Sequence, residues 1–326
     1  SGNSGSIQAF ASWKYRISEE LSLVNGFHLL HFGLNNNVSV EPRSALKWQF
    51  TTKQSLSLGF GLHSRIESLE YYLANVSSEE GLVSQPNINL DFTKARHYVL
   101  SYDNVIGKNW YLKAETYFQE LYNVPVHHDE NNIFSALLLE NGYIADSLVN
   151  KGTGTNYGLE LTVQRFFNNH FYLLFSASLY EAKYKAADGK QRNTPFNSNF
   201  GFNFLAGKEF VIGSSKQNLL GLNLRATWGG NKRYIPVDLT ASRLWDREVP
   251  DYENAFEQRL PDYWKIDFQI SYRLNKANVM HEFRIELLNV TNHKNIYSNY
   301  YNNSTQSVEF DTQTGIIPAV GYRIEF

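Results

Sequence analysis

The C-terminal part of the chain alternates strictly between apolar and polar residues. In residues 263–274 every second side chain is apolar, starting at Trp264, and those between are polar or charged, starting at Lys265. The same period of two returns in residues 282–287 and 320–326. Successive side chains of a β-strand point to opposite faces. Because the apolar faces are long and aromatic and the polar faces carry both charges, the pattern predicts strands between lipid and a polar lumen.

Composition supports this interpretation and excludes other classes. The 326 residues include 21 Tyr, 22 Phe and 6 Trp, yet the mean hydropathy is only −0.41, as expected when half of each strand is polar. No run of about 18 apolar residues exists, so no transmembrane helix is predicted. A net charge of −2 argues against a nucleic-acid partner. Without cysteine there is no disulfide framework and no thiolate metal site.

The alternation predicts about 13 strands of roughly 8 to 13 residues, where about 9 to 11 tilted residues cross a bilayer. The predicted strands are 6–17, 21–32, 44–50, 56–62, 94–104, 110–122, 157–166, 171–183, 200–206, 220–228, 263–274, 283–287 and 320–326. Short turns follow the odd-numbered strands, although the ninth, at 207–218, fits least well. Long loops, including 33–43 and 123–156, follow the even-numbered strands. This asymmetry is typical of outer-membrane barrels.

Several segments resemble TonB-dependent outer-membrane receptors. They are EPRSALKWQF at 41–50, YFQELYNVPV at 117–126, GTNYGLEL at 154–161, ELLNVTN at 286–292 and GYRIEF at 321–326. The resemblance covers nearly the whole chain. It implies an all-β fold, a transmembrane antiparallel β-barrel, with residues 1–326 as the C-terminal portion of a roughly 22-stranded, plugged barrel. The plug domain and the first strands are absent from this stretch.

The resemblance also implies a function, that of active transport of a scarce ligand across the bacterial outer membrane. The ligand would be a siderophore, vitamin, glycan or peptide, and the TonB energy-coupling protein would act through the missing N-terminal part. The partners implied are outer-membrane lipid, the plug domain and the remaining barrel strands, and a surface lipoprotein over the long loops stays open. No enzymatic activity and no cofactor are expected. The alternative is a passive porin, or a barrel that serves as a docking or assembly platform.

Strand parity separately predicts a fragment. Single-chain bacterial barrels have an even number of strands and both termini in the periplasm. Thirteen strands counted back from Phe326 place Ser6 at the extracellular rim. We therefore expect residues 1–5 to belong to a loop. No signal peptide is present at Ser1, so we expect an exported protein to have lost one or the chain to be a piece of something longer. A plug of roughly 100 to 150 residues upstream of Ser1 would favour import over a passive barrel.

Chemical motifs are sparse. His127, His128, Asp129 and Glu130 combine groups that bind divalent metals, but neighbouring residues of an extended segment point to opposite sides. We therefore interpret this motif as a solvated polar loop and predict no metal site. Neither Gly-x-Ser-x-Gly nor His-Glu-x-x-His occurs, so no catalytic residue is predicted, and a hydrolase would need a constellation assembled only in space.

Three groups of residues are candidates for function. Ligand contact is considered for loop residues, with packing as the alternative: Tyr71, Tyr72, His127, His128, Tyr297, Tyr300 and Tyr301. The charged residues predicted to face the lumen are Lys265, Asp267, Arg273, Glu282, Arg284, Glu286, Arg323 and Glu325. They form a structural ladder, hold the plug through breakable contacts, or do both. An assembly signal captured by strand addition is predicted at Gly321, Tyr322, Ile324 and Phe326, unless Phe326 is only the last interfacial aromatic.

Overall fold

The chain folds almost entirely into strands. The computed structural model describes residues 4–77, 81–139, 142–213 and 217–326. The strands are β1 Ser6–Arg16, β2 Leu21–Phe32, β3 Asn37–Trp48, β4 Gln54–Arg65, β5 Val76–Ser77, β6 Val83–Ser84, β7 Thr93–Ile106, β8 Trp110–His127, β9 Leu148–Asn168, β10 Phe171–Lys185, β11 Gln191–Asn193, β12 Phe200–Ile212, β13 Asn218–Gly229, β14 Tyr263–Asn275, β15 Met280–Leu288, β16 Ile296–Asn302, β17 Ser307–Thr312 and β18 Ile317–Glu325. Two short helices, α1 Leu69–Tyr72 and α2 Leu239–Trp245, lie in the connections. Neither has the length and apolar character that crossing a membrane requires.

Thirteen strands follow one another in a single sheet, as far as the chain is described. Their order is β1-β2-β3-β4-β7-β8-β9-β10-β12-β13-β14-β15-β18, and β11 pairs with β10 outside this path. The pairs β5–β6 and β16–β17 form separate hairpins. The predicted all-β class, antiparallel pairing and strand number are confirmed. The order ends at β1 and at β18, so the barrel is not closed by these strands.

The register of the last strands separates an apolar from a polar face. Directly opposed residues share a face, and Ile270 lies opposite Ile285, which lies opposite Val320. On the other face, Arg273 lies opposite Glu282, which lies opposite Arg323 of β18. Ile285 and Val320 are 56% and 85% exposed. Large apolar side chains exposed in a row along paired strands form a surface suited to lipid.

One predicted loop is wrong. β3 starts at Asn37 rather than at residue 44, and the loop expected at 33–43 is a four-residue turn in which Asn36 takes a φ of 58°. The prediction failed because Pro42 interrupts the alternation. The ladder between β3 and β4 begins only at the pair Arg43–Gly61, so Pro42 stands where its missing N–H costs little.

Other strands are longer than predicted. β8 continues to His127 and β9 starts at Leu148, so the insertion expected at 123–156 comprises only residues 128–147. β12 continues to Ile212, and the ninth connection is residues 213–217 instead of 207–218. Long connections follow the fourth, sixth, eighth, tenth and twelfth spanning strands, as predicted, whereas the second connection is short.

The chain divides into two compact units. The first comprises Ser1–Tyr102, Glu115–Leu159 and Tyr180–Asn197, and the second comprises Asp103–Ala114, Glu160–Leu179 and Ser198–Phe326. A buried hydrophobic cluster in the first unit joins strand ends to connections: Leu30, Phe32, Tyr71, Tyr72, Leu90, Phe92, Val124, Ala136 and Leu148. In the second unit, two long connections hold each other by hydrogen bonds. The Arg243 Nε donates to the Gln306 carbonyl at 3.0 Å, and the Tyr301 N–H donates to the Glu248 carboxylate at 2.9 Å.

Candidate functional site

A continuous chain of hydrogen-bonded side chains crosses the polar face of the second unit. The Tyr172 hydroxyl donates to Asn223 Oδ1 at 2.8 Å, and the Asn223 Nδ2 donates to Gln269 Oε1 at 2.7 Å. The Gln269 Nε2 in turn donates to Glu286 Oε1 at 2.8 Å. We call these four residues, which lie on β10, β13, β14 and β15, the polar ladder. It fixes the side chains of four strands in one layer.

The polar ladder depends on a glycine of the intervening strand. Gly207 of β12 lies opposite Tyr172 on one side and opposite Asn223 on the other. A Cβ atom at residue 207 would overlap the Tyr172 ring and the Asn223 Oδ1. The tyrosine therefore reaches across β12 only because residue 207 has no side chain. Neither Tyr172 nor Gly207 was identified as functional from the sequence. An aromatic residue and a glycine on the polar faces of neighbouring strands would have indicated such a contact.

The eight charged residues predicted to face a lumen lie on the same face as the polar ladder. Within β14, Lys265 and Asp267 form an ion pair at 3.1 Å. Arg273 lies 3.6 Å from Glu209 of β12 and 3.9 Å from Glu282 of β15. The remaining members pair within their strands, Arg284 with Glu286 and Arg323 with Glu325. These contacts link charged residues within and between neighbouring strands, and contact of these residues with a plug stays a prediction.

Two of these arginines keep hydrogen-bonding capacity. The Nε atoms of Arg273 and Arg284 are buried and have no hydrogen-bond partner among the described residues. Their other guanidinium nitrogens approach carboxylates only at 3.6 to 3.9 Å. Partly exposed pairs at such distances contribute little to stability. Both guanidinium groups are therefore only loosely held by their carboxylate partners, and both side chains are partly exposed on the polar face.

A second polar cluster lies in the first unit, around Glu41. Its side chain is buried, and Oε2 lies 3.0 Å from His28 Nδ1 and 2.8 Å from Arg43 Nη2. The Ser64 N–H donates to the other carboxylate oxygen at 3.0 Å. A buried carboxylate is tolerated when its charge and lone pairs are matched in this way. The cluster explains structurally why the segment 41–50 carries a glutamate and an arginine two residues apart.

The five candidate tyrosines divide by burial. Tyr71 and Tyr72 belong to the buried cluster of the first unit, and burial raises the pKa of both phenols to about 12. Tyr301 is also buried, whereas Tyr297 and Tyr300 are exposed. Lys232 Nζ lies 5.0 Å from the centre of the Tyr297 ring, and the Tyr300 hydroxyl donates to the Glu309 carboxylate. The structure therefore favours packing for the buried three, while ligand contact stays a prediction for all five.

The imidazole rings of His127 and His128 lie close together, although neighbouring side chains of an extended segment point to opposite sides. The alternation argument fails because β8 ends at His127, and the two imidazole rings lie 4.6 Å apart between centroids. The neighbouring carboxylate is Asp146, whose Oδ2 lies 3.0 Å from His127 Nε2, rather than Asp129 or Glu130. One ligand atom from each of His127, His128 and Asp146 lies within 4.8 Å of the others. Within the described parts of the chain, these are the residues suited to hold a metal ion.

The predicted assembly signal lies on the outermost strand of the sheet. Tyr322 of β18 packs on Phe283, with ring centroids 5.1 Å apart, and its hydroxyl lies 2.8 Å from His281 Nδ1. Ile324 lies on the same face, Gly321 lies opposite Arg284, and Phe326 is 98% exposed beyond the strand end. β18 has a neighbour on one side only in the strand order. This placement is compatible with capture by strand addition, which stays a prediction.

Comparison with known proteins supplies the family. Residues 2–292 match the family described as TonB dependent receptor-like, beta-barrel. The ferric-catecholate import receptor Fiu from E. coli shares 12% identity with a TM-score of 0.67, over 97% of this chain and 44% of that one. The ferric yersiniabactin uptake receptor FyuA from Yersinia pestis shares 12% identity with a TM-score of 0.66, over 98% and 45%. BauA, the ferric preacinetobactin receptor from Acinetobacter baumannii, shares 13% identity with a TM-score of 0.63, over 98% and 43%.

The chain thus spans less than half the length of these structures, and at such identities the likeness shows the fold. No curated protein gives a significant match. The related structures are receptors and transporters of the outer membrane. Because the family match runs over most of the sequence and the strand order agrees with it, the chain belongs to the TonB-dependent receptor β-barrel family of bacterial outer-membrane proteins.

Proposed function

We propose that residues 1–326 form the C-terminal part of the barrel of a receptor that actively imports a scarce ligand and performs no chemistry of its own. The observation that carries the proposal is the polar face of the second unit, where the polar ladder and the ion pairs extend over consecutive strands. A lipid-facing barrel needs no such face on its inner side unless water or a polar domain lies there. In this family, a plug domain inside the barrel would be the polar partner of this face.

The strength of the contacts supports a removable plug. A neutral hydrogen bond contributes about 0.5–1.5 kcal/mol, and a partly exposed ion pair about 0–1 kcal/mol. Such contacts exchange partners one at a time without unfolding the strands, which are held by their backbone ladders. The partly exposed guanidinium groups of Arg273 and Arg284, whose carboxylate partners lie no closer than 3.6 Å, would serve as attachment points on the barrel side.

The edges of the sheet support partners within the same receptor. Among the residues that the structure describes, β1 and β18 each pair with one neighbouring strand, so each has a row of backbone groups without a strand partner. Hydrocarbon does not tolerate unpaired N–H and C=O groups. We propose that the remaining barrel strands of the receptor pair with both edges. TonB would act on the receptor outside residues 1–326, through the part that also carries the plug.

Two observations support a proposal for the class of ligand. The named relatives import or take up ferric chelates, which makes iron-loaded siderophores the first class to test. The exposed rings of Tyr297 and Tyr300 lie in the last long connection and offer aromatic surface for such a chelate. Vitamins, glycans and peptides remain the further classes, and the long connections would distinguish among them.

The test is uptake of labelled ferric siderophores by cells that carry the full-length receptor, with and without a functional TonB system. We expect surface binding in both strains and accumulation only in the strain with TonB. Deletion of the receptor is the control and should abolish both. Accumulation that continues at the same rate without TonB would show a passive porin. Binding without accumulation in either strain would indicate a docking platform.

A further inference from the structure

The base of the connection between β8 and β9 carries three potential metal ligands. His127 ends β8, His128 follows it, and Asp146 lies two residues before β9. We infer that His127, His128 and Asp146 bind one divalent transition-metal ion. This inference concerns an ion bound by the chain itself, and it does not require that a ligand be imported.

The backbone holds the three residues in place before any ion binds. The His128 N–H donates to the Ser147 carbonyl at 3.1 Å, which ties the two ends of the connection together. The Asn87 side chain donates to the Asp146 carbonyl at 2.7 Å, and the Ser147 N–H donates to Asp146 Oδ1 at 2.8 Å. Asp146 Oδ2 is left to face His127. A site that is organised in advance loses less conformational entropy on binding.

The hydrogen bonds leave one imidazole nitrogen ready to coordinate. His128 Nδ1 lies 3.2 Å from the Ser147 carbonyl, which only accepts, so Nδ1 carries the proton. His128 Nε2 then has a free lone pair. This arrangement, with one ring nitrogen donating to a carbonyl and the other coordinating, is common among metal-bound histidines. His128 is exposed, which gives the ion access from solvent.

His127 must change its tautomer when the ion binds. The Asp129 N–H donates to His127 Nδ1 at 3.0 Å, so in the metal-free protein Nε2 carries the proton and donates to Asp146. Coordination through Nε2 moves that proton to Nδ1, and no proton is lost from the neutral ring. The hydrogen bond from Asp129 then breaks. The turn that starts at His128 therefore adjusts, while His127 itself stays buried at the strand end.

The donor set selects the class of ion. Two imidazole nitrogens and one carboxylate oxygen suit Zn²⁺, which binds three protein ligands and a water in open tetrahedral sites. Ni²⁺ and Cu²⁺ belong to the same class, and by the usual order of stability Cu²⁺ binds nitrogen ligands more tightly than Zn²⁺ does. Mg²⁺ and Ca²⁺ require more oxygen ligands than the site provides. Because the ligands come from both ends of residues 128–147, a bound ion would clamp the base of that connection.

The test is isothermal titration of the full-length receptor in detergent micelles with ZnCl₂, after removal of metals by a chelator and dialysis. We expect one saturable equivalent that the variants His128→Ala and Asp146→Asn each weaken at least tenfold. MgCl₂ should give no such signal. Asp129→Asn is the matched control for Asp146→Asn, since it removes the same charge two residues from His127, and it should change the affinity less than threefold.

The variants keep the proposal falsifiable. His128 is exposed and Asn is the same size as Asp, so neither change should unfold the receptor, as circular dichroism will check. Other zinc sites in the full-length protein do not interfere, because the inference concerns the one equivalent lost in the variants. Titrations of His128→Ala and Asp146→Asn that match the unmodified receptor would overturn it, as would equal weakening by Asp129→Asn. Failure here would leave the import experiment unaffected, since that experiment measures TonB-dependent accumulation.

Discussion

The glycine beneath the Tyr172 ring offers the sharpest test of the polar ladder. Gly207→Ala would place a methyl group where the Tyr172 ring and the Asn223 side chain now lie. The β12 strand is paired on both sides, so its backbone cannot withdraw. The tyrosine must therefore swing out, and its hydrogen bond to Asn223 breaks.

The magnitude follows from two terms. Overpacking at a well-filled position costs about 1–3 kcal/mol. Loss of the Tyr172–Asn223 hydrogen bond adds about 0.5–1.5 kcal/mol. We expect the free energy of unfolding to fall by about 1.5–4.5 kcal/mol. The same strand supplies the control, because a methyl group at Gly201 meets no atom within 4 Å. Gly201→Ala should change the free energy of unfolding by less than about 0.5 kcal/mol.

The assay is urea unfolding of the full-length receptor in lipid vesicles, with native folding confirmed by heat-modifiable migration. A second arm adds Tyr172→Ala to both backgrounds. Once the ring is removed, the methyl group of Gly207→Ala meets only the end of the Asn223 side chain, so the two substitutions should be non-additive by at least about 1 kcal/mol. Equal effects of Gly207→Ala and Gly201→Ala, or strict additivity with Tyr172→Ala, would refute the reasoning.

Three further predictions concern the faces, the terminus and the buried tyrosines. Ile285→Arg should cost about 2–4 kcal/mol in vesicle unfolding, against near zero for Ser271→Asn on the opposite face, and equal costs would contradict the lipid-facing assignment. Phe326→Ser in the full-length receptor should lower the amount assembled in the outer membrane, measured as the heat-modifiable band, more than it lowers the stability of assembled barrels; an unchanged amount would leave Phe326 as an interfacial aromatic. Because burial raises the pKa of Tyr71 and Tyr72 to about 12, both stay protonated in the folded state while the unfolded phenols ionise near pH 10. Stability should therefore fall as the pH rises from about 10 to 12, less steeply in Tyr72→Phe, and identical pH profiles would show that the phenol is not the cause.

The period of two was informative only where one face of a strand is apolar. It located the middle of each strand and assigned residues such as Ile270 and Gln269 to opposite faces, as the register shows. It missed the ends, including residues 37–43 of β3 and Leu148 at the start of β9. In β3, Val38 and Val40 continue the alternation, but Pro42 separates them from the rest of the strand. Beyond an apolar band about 25 Å tall, both faces of a strand can be polar, and hydropathy then no longer alternates. The strand ends in such a protein are determined by backbone pairing between strands, which cannot be predicted from the hydropathy of one strand.

The connections were less predictable because their contacts are distant in sequence. Tyr72 resembles any exposed loop tyrosine in the sequence, yet it packs against Phe32 with ring centroids 5.0 Å apart. Asp146 is separated from His127 by the whole connection, and only the pairing of β8 with β9 brings them together. The sequence motif suggested Asp129 as the carboxylate, since it is adjacent. In each case, the partner was determined by strand pairing elsewhere.

The polar ladder connects this fold to the proposed function because its side chains and the backbone have different roles. Backbone hydrogen bonds between neighbouring strands fix the register, so the side chains of the polar face are not needed to hold the strands together. Each neutral hydrogen bond of the polar ladder contributes only about 0.5–1.5 kcal/mol, and the one to the Glu286 carboxylate about 1.5–3 kcal/mol. Each can be exchanged for a contact with another polar surface at little net cost. A face made of a few strong, buried ion pairs would not allow this, because breaking one leaves a charge without a partner. Many weak contacts on a rigid sheet are what a barrel needs if its plug must leave and return without unfolding it.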